Sequence, residues 1–293
     1  MIILAQPIFS HLLPAFHDIT NLSGKMATKR HQYIFNQTLE QREQARLKLI
    51  ERYHDPRTKQ RLLATGLREG WHCLEVGPGG GSIMRWMAKR VGKGGFVQAL
   101  DINPRFIRNT KLPNVTIQQG DIASASLPTA KYHLVHARFV LIHTQRYRQA
   151  LARVIKSLRP EGWMVLEEPD FLPARPIWGT KQACQSVERV NQAICKMFEH
   201  AGLNPGFGLE LPRLLTRYNM TRLRIENEVP LTQGGSALAT IMERSAGLLR
   251  EEYLGTGMVT SSDIHQYCRF AKNPSTWAIY HGTVIILAQK PKR

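Results

Sequence analysis

Between residues 71 and 170, short apolar runs alternate with longer segments in which apolar residues recur every three or four positions. Short runs rich in β-branched and aromatic side chains predict strands, whereas the longer spacing predicts helices. On this basis we predict five strands, at residues 72–76, 96–101, 115–119, 132–137 and 163–168. Strands that alternate with helices are typical of βαβ units, so we expect a parallel sheet.

Two predicted helices inside this segment have clear ends. Apolar residues repeat with helical spacing from 82 to 91, and Gly92 ends the pattern. A second helix is predicted from 147 to 158, before Pro160 and Gly162. Glycine often ends a helix because it adopts the left-handed conformation, and proline cannot continue one because it has no N–H group.

The sequence on either side is mainly helical. From 31 to 67 we predict two helices, separated by a break at Asp55 and Pro56, that form a lid or spacer. After Asp170, two apolar stripes have helical spacing. They consist of Val187, Val190, Ile194, Met197, Phe198 and Ala201, and of Leu238, Ile241, Met242, Leu248 and Leu249. We expect both stripes to pack against the core, with the lining of a ligand pocket as the alternative. Two closing strands are predicted at 223–228 and 283–289.

The composition indicates a folded protein with a strongly basic surface. Of its 293 residues 43% are hydrophobic, and the formal charge is +18 with a pI near 10.2. Such a charge attracts nucleic acid, phosphate or acidic membranes. The alternative is a well-solvated basic surface, because Lys and Arg are spread along the chain without a run of five or six like charges.

The cysteines and the N-terminus indicate a cytoplasmic protein. The four cysteines are far apart in the sequence: Cys73, Cys184, Cys195 and Cys268. No Cys-x-x-Cys pair is present, so we predict neither a disulfide framework nor a zinc knuckle. Polar residues and prolines interrupt the apolar N-terminus, and we expect no signal peptide or membrane span there. Residues 1–24 are compatible with a poorly ordered tail, and Met26 is a second candidate start.

The most specific motif is Leu-Glu-Val-Gly-Pro-Gly-Gly-Gly-Ser at 74–82, where the first sheet strand meets the helix at 82–91. Glycines at such a junction let the backbone approach a ligand without an intervening Cβ, and the helix N-terminus offers free N–H groups. The dinucleotide fingerprint Gly-x-Gly-x-x-Gly would require glycine where Ser82 stands. The spacing instead resembles motif I of class I S-adenosylmethionine-dependent methyltransferases, acid-x-Gly-x-Gly-x-Gly. The matching residues are Glu75, Gly77, Gly79 and Gly81.

Three later features follow in the order that this family has them. Asp101 ends the second strand, and Gly-Asp-Ile at 120–122 follows the third. Leu-Arg-Pro-Glu-Gly-Trp at 158–163 resembles the family's L-[KR]-P-G-G turn, with Glu161 in place of the first glycine. The resemblance covers about residues 52–168 well. Segments 55–58 and 206–212 are also similar to UbiE-like and antibiotic-type small-molecule methyltransferases.

The resemblance implies a Rossmann-like α/β fold with helical caps. The expected sheet has seven mostly parallel strands, helices on both faces and an antiparallel last strand, and the cofactor lies across the carboxyl ends of the strands. The expected segments are a tail (1–24), an N-terminal helical segment (25–70), the cofactor-binding core (71–170), a helical cap and acceptor region containing the sixth strand (171–270) and the last strand (271–293).

The same resemblance implies S-adenosylmethionine as cofactor and S-adenosylhomocysteine as product. The residues it places against the cofactor are Glu75, Gly77, Gly79, Gly81, Asp101, Ile102, Asp121, Ile122 and His136. Asp101 would accept both ribose hydroxyls, and Asp121 with the following N–H would bind the adenine edge. The alternatives are that Asp101 caps the turn at 103–104 and that Asp121 is an ordinary turn residue.

Methyl transfer from a sulfonium is an in-line displacement, so positioning supplies much of the acceleration and a base is optional. For a hydroxyl or ammonium acceptor, a base at the ends of the fourth and fifth strands would help. The acceptor-side candidates are His136, Arg138, His143, Glu167, Glu168 and Asp170. His143 is our first choice as base, and Arg138 can orient an acceptor but cannot act as one. For the carboxylates, simple solvation of a loop is the alternative.

We predict no metal: His133, His136 and His143 are the candidate ligands, but positions three apart on a strand, such as 133 and 136, point to opposite faces. The expected acceptor is a small molecule. One alternative is a nucleic-acid methyltransferase, favoured by the charge; against it, the fourth strand continues as His-Ala-Arg-Phe at 136–139 and lacks the [Asp/Asn]-Pro-Pro-aromatic motif of base amino methylation. The other alternative is a non-catalytic scaffold that retains the fold.

Overall fold

The computed structural model describes residues 40–292. The predicted tail at 1–24, and the part of the predicted N-terminal helices before residue 40, lie outside the described residues. The helices are α1 (Glu40–Ala64), α2 (Ser82–Val91), α3 (Tyr147–Ser157), α4 (Lys181–His200), α5 (Leu211–Arg217), α6 (Ala237–Leu248), α7 (Arg250–Leu254) and α8 (Ser261–Lys272). The strands are β1 (His72–Val76), β2 (Phe96–Asp101), β3 (Val115–Gln119), β4 (Tyr132–Arg138), β5 (Leu158–Asp170), β6 (Arg175–Trp178), β7 (Thr221–Glu228), β8 (Thr232–Gln233), β9 (Trp277–Ile279) and β10 (Gly282–Gln289).

The main sheet has seven strands in the order β3-β2-β1-β4-β5-β10-β7. Neighbours from β3 to β5 are parallel, whereas β10 is antiparallel to both β5 and β7. This is the expected Rossmann-like sheet with an antiparallel last strand. Because β10 runs the other way, its first residues lie at the edge where the parallel strands end.

Each face of the sheet has its own apolar core. On one face, Val97, Val165 and Ile285 pack with apolar residues of α2 and with Leu62 of α1. On the other, Leu166 and Val284 belong to a larger cluster that includes residues of α3, α4, α6 and α8. Helices therefore cover both faces, as expected, and the apolar stripes of α4 and α6 are part of the core.

The predicted strand positions are confirmed to within a few residues. β1, β2 and β3 have the predicted bounds, and β4 extends by one residue. β5 begins earlier than predicted, at Leu158, but its pairing with β4 shifts register between Leu158 and Trp163. Glu161, in that shifted stretch, has a left-handed φ of 59°. The segment predicted as a turn before the fifth strand therefore lies inside β5 as an irregularity of the strand, with Glu161 in the conformation that favours glycine.

Part of the region after Asp170 was not predicted. β6, β9 and β8 form a second, antiparallel sheet of three short strands. Strands of two to four residues carry too little periodic signal to be recognised from sequence. Among residues 40–292, no helix is both long and apolar enough to cross a membrane.

The predicted break at Asp55 and Pro56 is wrong, because α1 continues through Pro56. Proline inside a helix removes one hydrogen bond and its ring clashes with the preceding turn. The helix continues because its buried side is anchored on both sides of the proline. Arg138 donates to Asp55 at 3.0 Å, and Thr58 donates to Glu167 at 3.0 Å.

We predict that Pro56→Ala stabilises the protein by about 1–3 kcal/mol, since the N–H group of alanine completes the helix and no ring clashes. Pro56 is exposed, so the change leaves no cavity. The measurement is the free energy of unfolding in urea. Gln60→Ala, also exposed on α1, is the control and should change stability by less than about 0.5 kcal/mol. If Pro56→Ala is less stable than the wild type, the proline itself helps α1 to pack against the sheet.

Candidate active site

A cavity of about 250 Å³ opens where the parallel strands of the main sheet end. Its floor consists of the glycine loop after β1 and the ends of β2, β4 and β5. α1, α4, α6 and α7 contribute further walls through residues such as Ile50, Phe198, Met242 and Tyr253. The cavity thus lies in the crevice where open α/β sheets bind ligands.

The glycine loop is shaped by close approaches of the backbone. Gly77 has φ of 64°, and a Cβ there would collide with the side chain of Val140. Gly79 has φ of 56° and faces the cavity, where a Cβ would lie 3.4 Å from Leu47 of α1. Both positions therefore require glycine, and the predicted residues Glu75, Gly77 and Gly79 line the cavity. Gly81 does not line it, although it belongs to the same loop.

Asp101 and Ile102 line the cavity at the end of β2. Oδ1 of Asp101 accepts a hydrogen bond from the backbone N of Asn103 at 2.7 Å, so the turn considered as the alternative role is formed. Burial raises the pKa of Asp101, while the backbone amides of Asn103 and Gly79 oppose the shift. The carboxylate thus belongs both to the turn and to the cavity wall.

Asp121 and Ile122 line the same part of the cavity. Oδ1 of Asp121 accepts from the backbone N of Ala123 at 2.8 Å, which is the turn role given as the alternative. Oδ2 forms an ion pair of 2.7 Å with Arg146. This pair is partly exposed and therefore weak, so the carboxylate can exchange Arg146 for another donor at little cost.

Three predicted residues form a buried row across the sheet beneath the cavity. Nδ1 of His136 lies 2.8 Å from a carboxylate oxygen of Glu75, and its Nε2 lies 3.9 Å from Glu167. Burial would lower the pKa of His136, but the charges of Glu75 and Glu167 outweigh it and raise the pKa to about 9. His136 is therefore a buried imidazolium. His136 and Glu167 do not line the cavity, so neither is placed to contact a ligand.

Glu167 is also held by α1. Thr58 donates to it at 3.0 Å and Arg61 lies 3.6 Å away. Burial would raise the pKa of Glu167, but His136, Arg138 and Arg61 lower it to about 2. Of these residues only Arg138 lines the cavity, and it donates to Thr58 at 2.9 Å. Arg138 is thus fixed in position, as an orienting residue would be.

Glu168 positions the loop that follows β4. Its carboxylate accepts backbone N–H bonds from Val140, Leu141 and Ile142 at 2.8–3.1 Å, at the start of a 3-10 turn (Leu141–His143). Burial raises the pKa of Glu168 to about 7 against these bonds. Just before the turn, Phe139 has a left-handed φ of 58°. Glu168 does not line the cavity; it holds the turn whose residues do.

The remaining acceptor-side candidates lie in different surroundings. His143 lines the cavity and stacks on Phe198, with ring centroids 5.9 Å apart. Burial, with the charge of Arg46, lowers the pKa of His143 to about 3, which makes it a weak base. Asp170 accepts from the backbone N of Leu172 at 3.0 Å and does not line the cavity. Of the bases predicted from the sequence, His143 is therefore the only one that lines the cavity.

Two cavity histidines were missed by the sequence interpretation. His54 lies on α1, which the predicted helix break obscured, and His281 directly precedes β10. A usable signal existed for His281: an antiparallel last strand must begin at the edge where the parallel strands end. Glu51 was also missed; it accepts from the backbone N of Ser82 at 3.1 Å and so joins α1 to the N-terminus of α2.

Within residues 40–292, no group of three or more His, Cys, Asp and Glu side chains is arranged to hold a metal ion. The glycine loop, the acidic residue at the end of β2 and the cavity over the strand ends are features of the Rossmann-like class of α/β proteins. A family model described as a methyltransferase domain matches residues 40–206. The chain belongs to this methyltransferase-domain family, and the resemblance recognised in the sequence is confirmed.

Curated relatives match only part of their own length. Methyltransferase str3 of Strobilurus tenacellus is 33% identical over 53% of this chain and 54% of its own. Nocamycin O-methyltransferase of Saccharothrix syringae is 30% identical over 38% and 42%. The ubiquinone/menaquinone biosynthesis C-methyltransferase UbiE of Laribacter hongkongensis is 30% identical over 40% and 51%. The chain thus spans about half the length of these relatives.

Solved structures support the fold. A putative sarcosine dimethylglycine methyltransferase from Galdieria sulphuraria superposes with a TM-score of 0.51 at 13% identity, covering 82% of this chain and 86% of that one. The [4+2]-cyclase SpnF gives a TM-score of 0.50 at 16% identity, covering 81% of each chain. A cyclase with this fold shows that the architecture alone does not determine the reaction.

The buried row predicts a pH-dependent stability. Folding raises the pKa of His136 from 6.5 to about 9, so its contribution is complete below pH 6.5 and is lost as the pH rises through about 9. Glu167→Gln removes one of the two carboxylates that hold this proton. We expect it to lower the free energy of unfolding at pH 7 by roughly 3–5 kcal/mol and to shift the pH-dependent loss to lower pH.

Glu226→Gln is the matched control, because Glu226 also pairs with Arg61 but is partly exposed. It should cost less than about 1 kcal/mol and keep the pH dependence of the wild type. Urea unfolding measured from pH 6 to 10 gives both quantities. If both variants lose the same free energy of unfolding, the pairing of Glu167 with His136 contributes no more to stability than an exposed ion pair.

Proposed function

We propose that the chain is an S-adenosylmethionine-dependent methyltransferase that acts on a small molecule. The observation that carries the proposal is one cavity lined both by the motif I loop with Asp101 and by apolar side chains of α4 and α6. The first set of residues suits a nucleoside, and the second suits an apolar acceptor. Relatives named for O- and C-methylation support the reaction class.

The residues present fit this cofactor. The left-handed glycines at 77 and 79 leave a surface that a Cβ would fill, and the hydroxyl of Ser82 is buried there without a hydrogen-bond partner among the described residues. Glu75, Gly77, Gly79, Asp101, Ile102, Asp121 and Ile122 would hold the cofactor. When bound, it supplies a methyl group on a sulfonium, an activated leaving group.

The chain's own contribution to such a reaction is positioning. Arg138, fixed by Asp55 and Thr58, can orient a polar group of the acceptor, and the walls of α1, α4 and α6 exclude water from the reacting atoms. A base is not required for an acceptor that is already nucleophilic. We include a cytoplasmic location in the proposal, in line with four cysteines that are all free.

Two other functions are compatible with the sequence: a nucleic-acid methyltransferase and a scaffold without methyl transfer. The nucleic-acid alternative gains no support from the relatives that match. A scaffold without methyl transfer is the second candidate, favoured by the cyclase among the structural neighbours. It is distinguished by incubation with S-adenosylmethionine labelled in its methyl group and a panel of small aromatic acceptors, since only a methyltransferase moves the label.

We predict that Gly79→Val and Asp101→Ala each weaken S-adenosylmethionine binding. The valine fills the cavity beside Leu47, and the alanine removes a charged hydrogen-bond acceptor worth about 1.5–3 kcal/mol, or roughly 10- to 100-fold in affinity. Isothermal titration calorimetry measures the affinity, and circular dichroism checks the fold. Asp121→Ala should have a smaller effect, since its carboxylate already pairs with Arg146.

Gly70→Val is the control for Gly79→Val, because Gly70 has φ of 81° and nothing within 4 Å of its Cβ position. It introduces the same backbone strain away from the cavity and should leave the affinity unchanged. If wild-type protein fails to bind S-adenosylmethionine, the proposed function is wrong. If it binds but both site variants bind equally well, the assignment of the glycine loop is wrong.

A further inference from the structure

Six rings form a continuous belt along the wall of the cavity. In order of contact they are His54, Phe139, His281, Phe171, Phe198 and His143. Neighbouring centroids are 5.0–6.1 Å apart. The belt draws on α1, α4 and the loops at the strand ends, so it exists only in the folded chain. Such spacing favours the packing of another aromatic ring against it.

Several other cavity-lining residues are aliphatic. Ile241, Met242 and Leu249 line the cavity from α6 and from the residue that follows it, and Ile194 and Met197 line it from α4, the helix that also carries Phe198. A flat ring packed against these aromatic, methionine and branched side chains loses water from its apolar surface. The compartment therefore favours a planar, largely apolar acceptor.

One belt histidine has a defined tautomer. Nδ1 of His281 lies 2.8 Å from the carbonyl oxygen of Gly282. A carbonyl oxygen only accepts, so Nδ1 carries the proton and Nε2 carries a lone pair. Within residues 40–292, Nε2 has no hydrogen-bond partner, and His281 is 5% exposed and lines the cavity. The cavity thus contains a polar acceptor among apolar groups.

The surroundings keep this ring neutral. Burial lowers the pKa of His281, although the carbonyl of Gly282 opposes the shift. Burial also lowers the pKa of His54 to about 3, and the charge of Arg138 contributes to this shift. A neutral imidazole accepts hydrogen bonds and protons, whereas an imidazolium cannot. The charge of Arg138 also favours an oxyanion formed in this part of the cavity.

We propose that the acceptor is a hydroxylated aromatic molecule, that its ring lies against this belt, and that its hydroxyl proton passes to Nε2 of His281. This inference rests on the proposed function and adds the acceptor class and the base to it. His281 has a hydrogen bond that fixes its tautomer, whereas His54 forms no such bond within residues 40–292. His143, at the far end of the belt, packs face to face against Phe198.

The proposed step balances in atoms and electrons. The hydroxyl oxygen forms a bond to the methyl carbon, and the carbon–sulfur bond breaks with its electron pair going to sulfur. The hydroxyl proton goes to Nε2 of His281, which becomes an imidazolium. After the aryl methyl ether and the neutral thioether leave, the imidazolium returns its proton to water. Removal of the proton during attack is the contribution expected of a general base.

The test uses 4-nitrophenol, whose anion absorbs at longer wavelength than its neutral form, and nitrobenzene, which has the same ring without the hydroxyl. Both are titrated into the complex of the full chain with S-adenosylhomocysteine. His281→Asn keeps an amide N–H where Nδ1 donates to Gly282 and removes Nε2. His281→Gln instead places an amide oxygen near Nε2, which accepts a hydrogen bond but not a proton. His265→Gln, exposed on α8, is the control.

We expect the wild type and His265→Gln to bind 4-nitrophenol with the spectrum of its anion. His281→Asn should bind 4-nitrophenol at least about tenfold more weakly, which is the size of one lost hydrogen bond. The bound probe should no longer show the spectrum of the anion. His281→Gln should bind it within about threefold of the wild type, but in the neutral form. Nitrobenzene should bind equally to all four proteins, which also shows that the variants are folded.

Phe198→Leu tests the belt independently and should weaken the binding of 4-nitrophenol and of nitrobenzene to a similar degree. An unchanged anion spectrum in His281→Asn and His281→Gln would overturn the assignment of the base. If the wild-type complex binds S-adenosylhomocysteine but neither probe, the acceptor class is wrong while the proposed function stands. If S-adenosylhomocysteine itself does not bind, the proposed function fails and this inference fails with it.

Discussion

The neutralisation of the buried carboxylate Glu167 connects the sheet, α1 and the cavity. An unpaired charge at this depth would cost several kcal/mol. His136 on the neighbouring strand and Arg61 on α1 provide the compensating charges, and Thr58 donates a hydrogen bond. The buried side of α1 is mainly polar, so charge pairing rather than apolar contact docks much of this helix. Because α1 also forms a wall of the cavity, the same pairing sets the position of that wall relative to the glycine loop.

Much of the sheet could be predicted from sequence because its signals are local. A strand such as 96–101 is mainly apolar, and the glycine loop marks the junction of β1 and α2 without reference to the rest of the chain. The break predicted at Pro56 fails for the opposite reason: local preference favours a break, but contacts of Asp55 and Thr58 with residues more than eighty positions away keep the helix continuous. Tertiary contacts outweigh propensity there.

The candidate site divides in the same way. Residues at the ends of the predicted strands, such as Asp101, line the cavity as expected, because the strand ends in a parallel sheet converge on one edge. The roles of Glu167 and Glu168 could not be predicted, since they depend on partners in α1 and on the backbone of the 3-10 turn. Sequence identifies a carboxylate at a strand end; only the fold shows that its oxygens face the interior and not a ligand.

Acceptor choice is the part of the function that relatives inform least. The methyltransferase-domain match ends at residue 206, whereas α6 and His281 lie beyond it. Under the proposed function, the matched segment holds the glycine loop and the carboxylates assigned to the cofactor, so identity there informs the choice of cofactor and not of acceptor. The segment after residue 206 supplies the aliphatic residues Ile241, Met242 and Leu249 and the histidine that precedes the antiparallel strand β10. Because β10 is antiparallel, it begins at the crevice, and the chain returns there more than two hundred residues after the glycine loop. Under the proposed function, this return brings an acceptor-side residue to a site whose cofactor side is built near the beginning of the described chain.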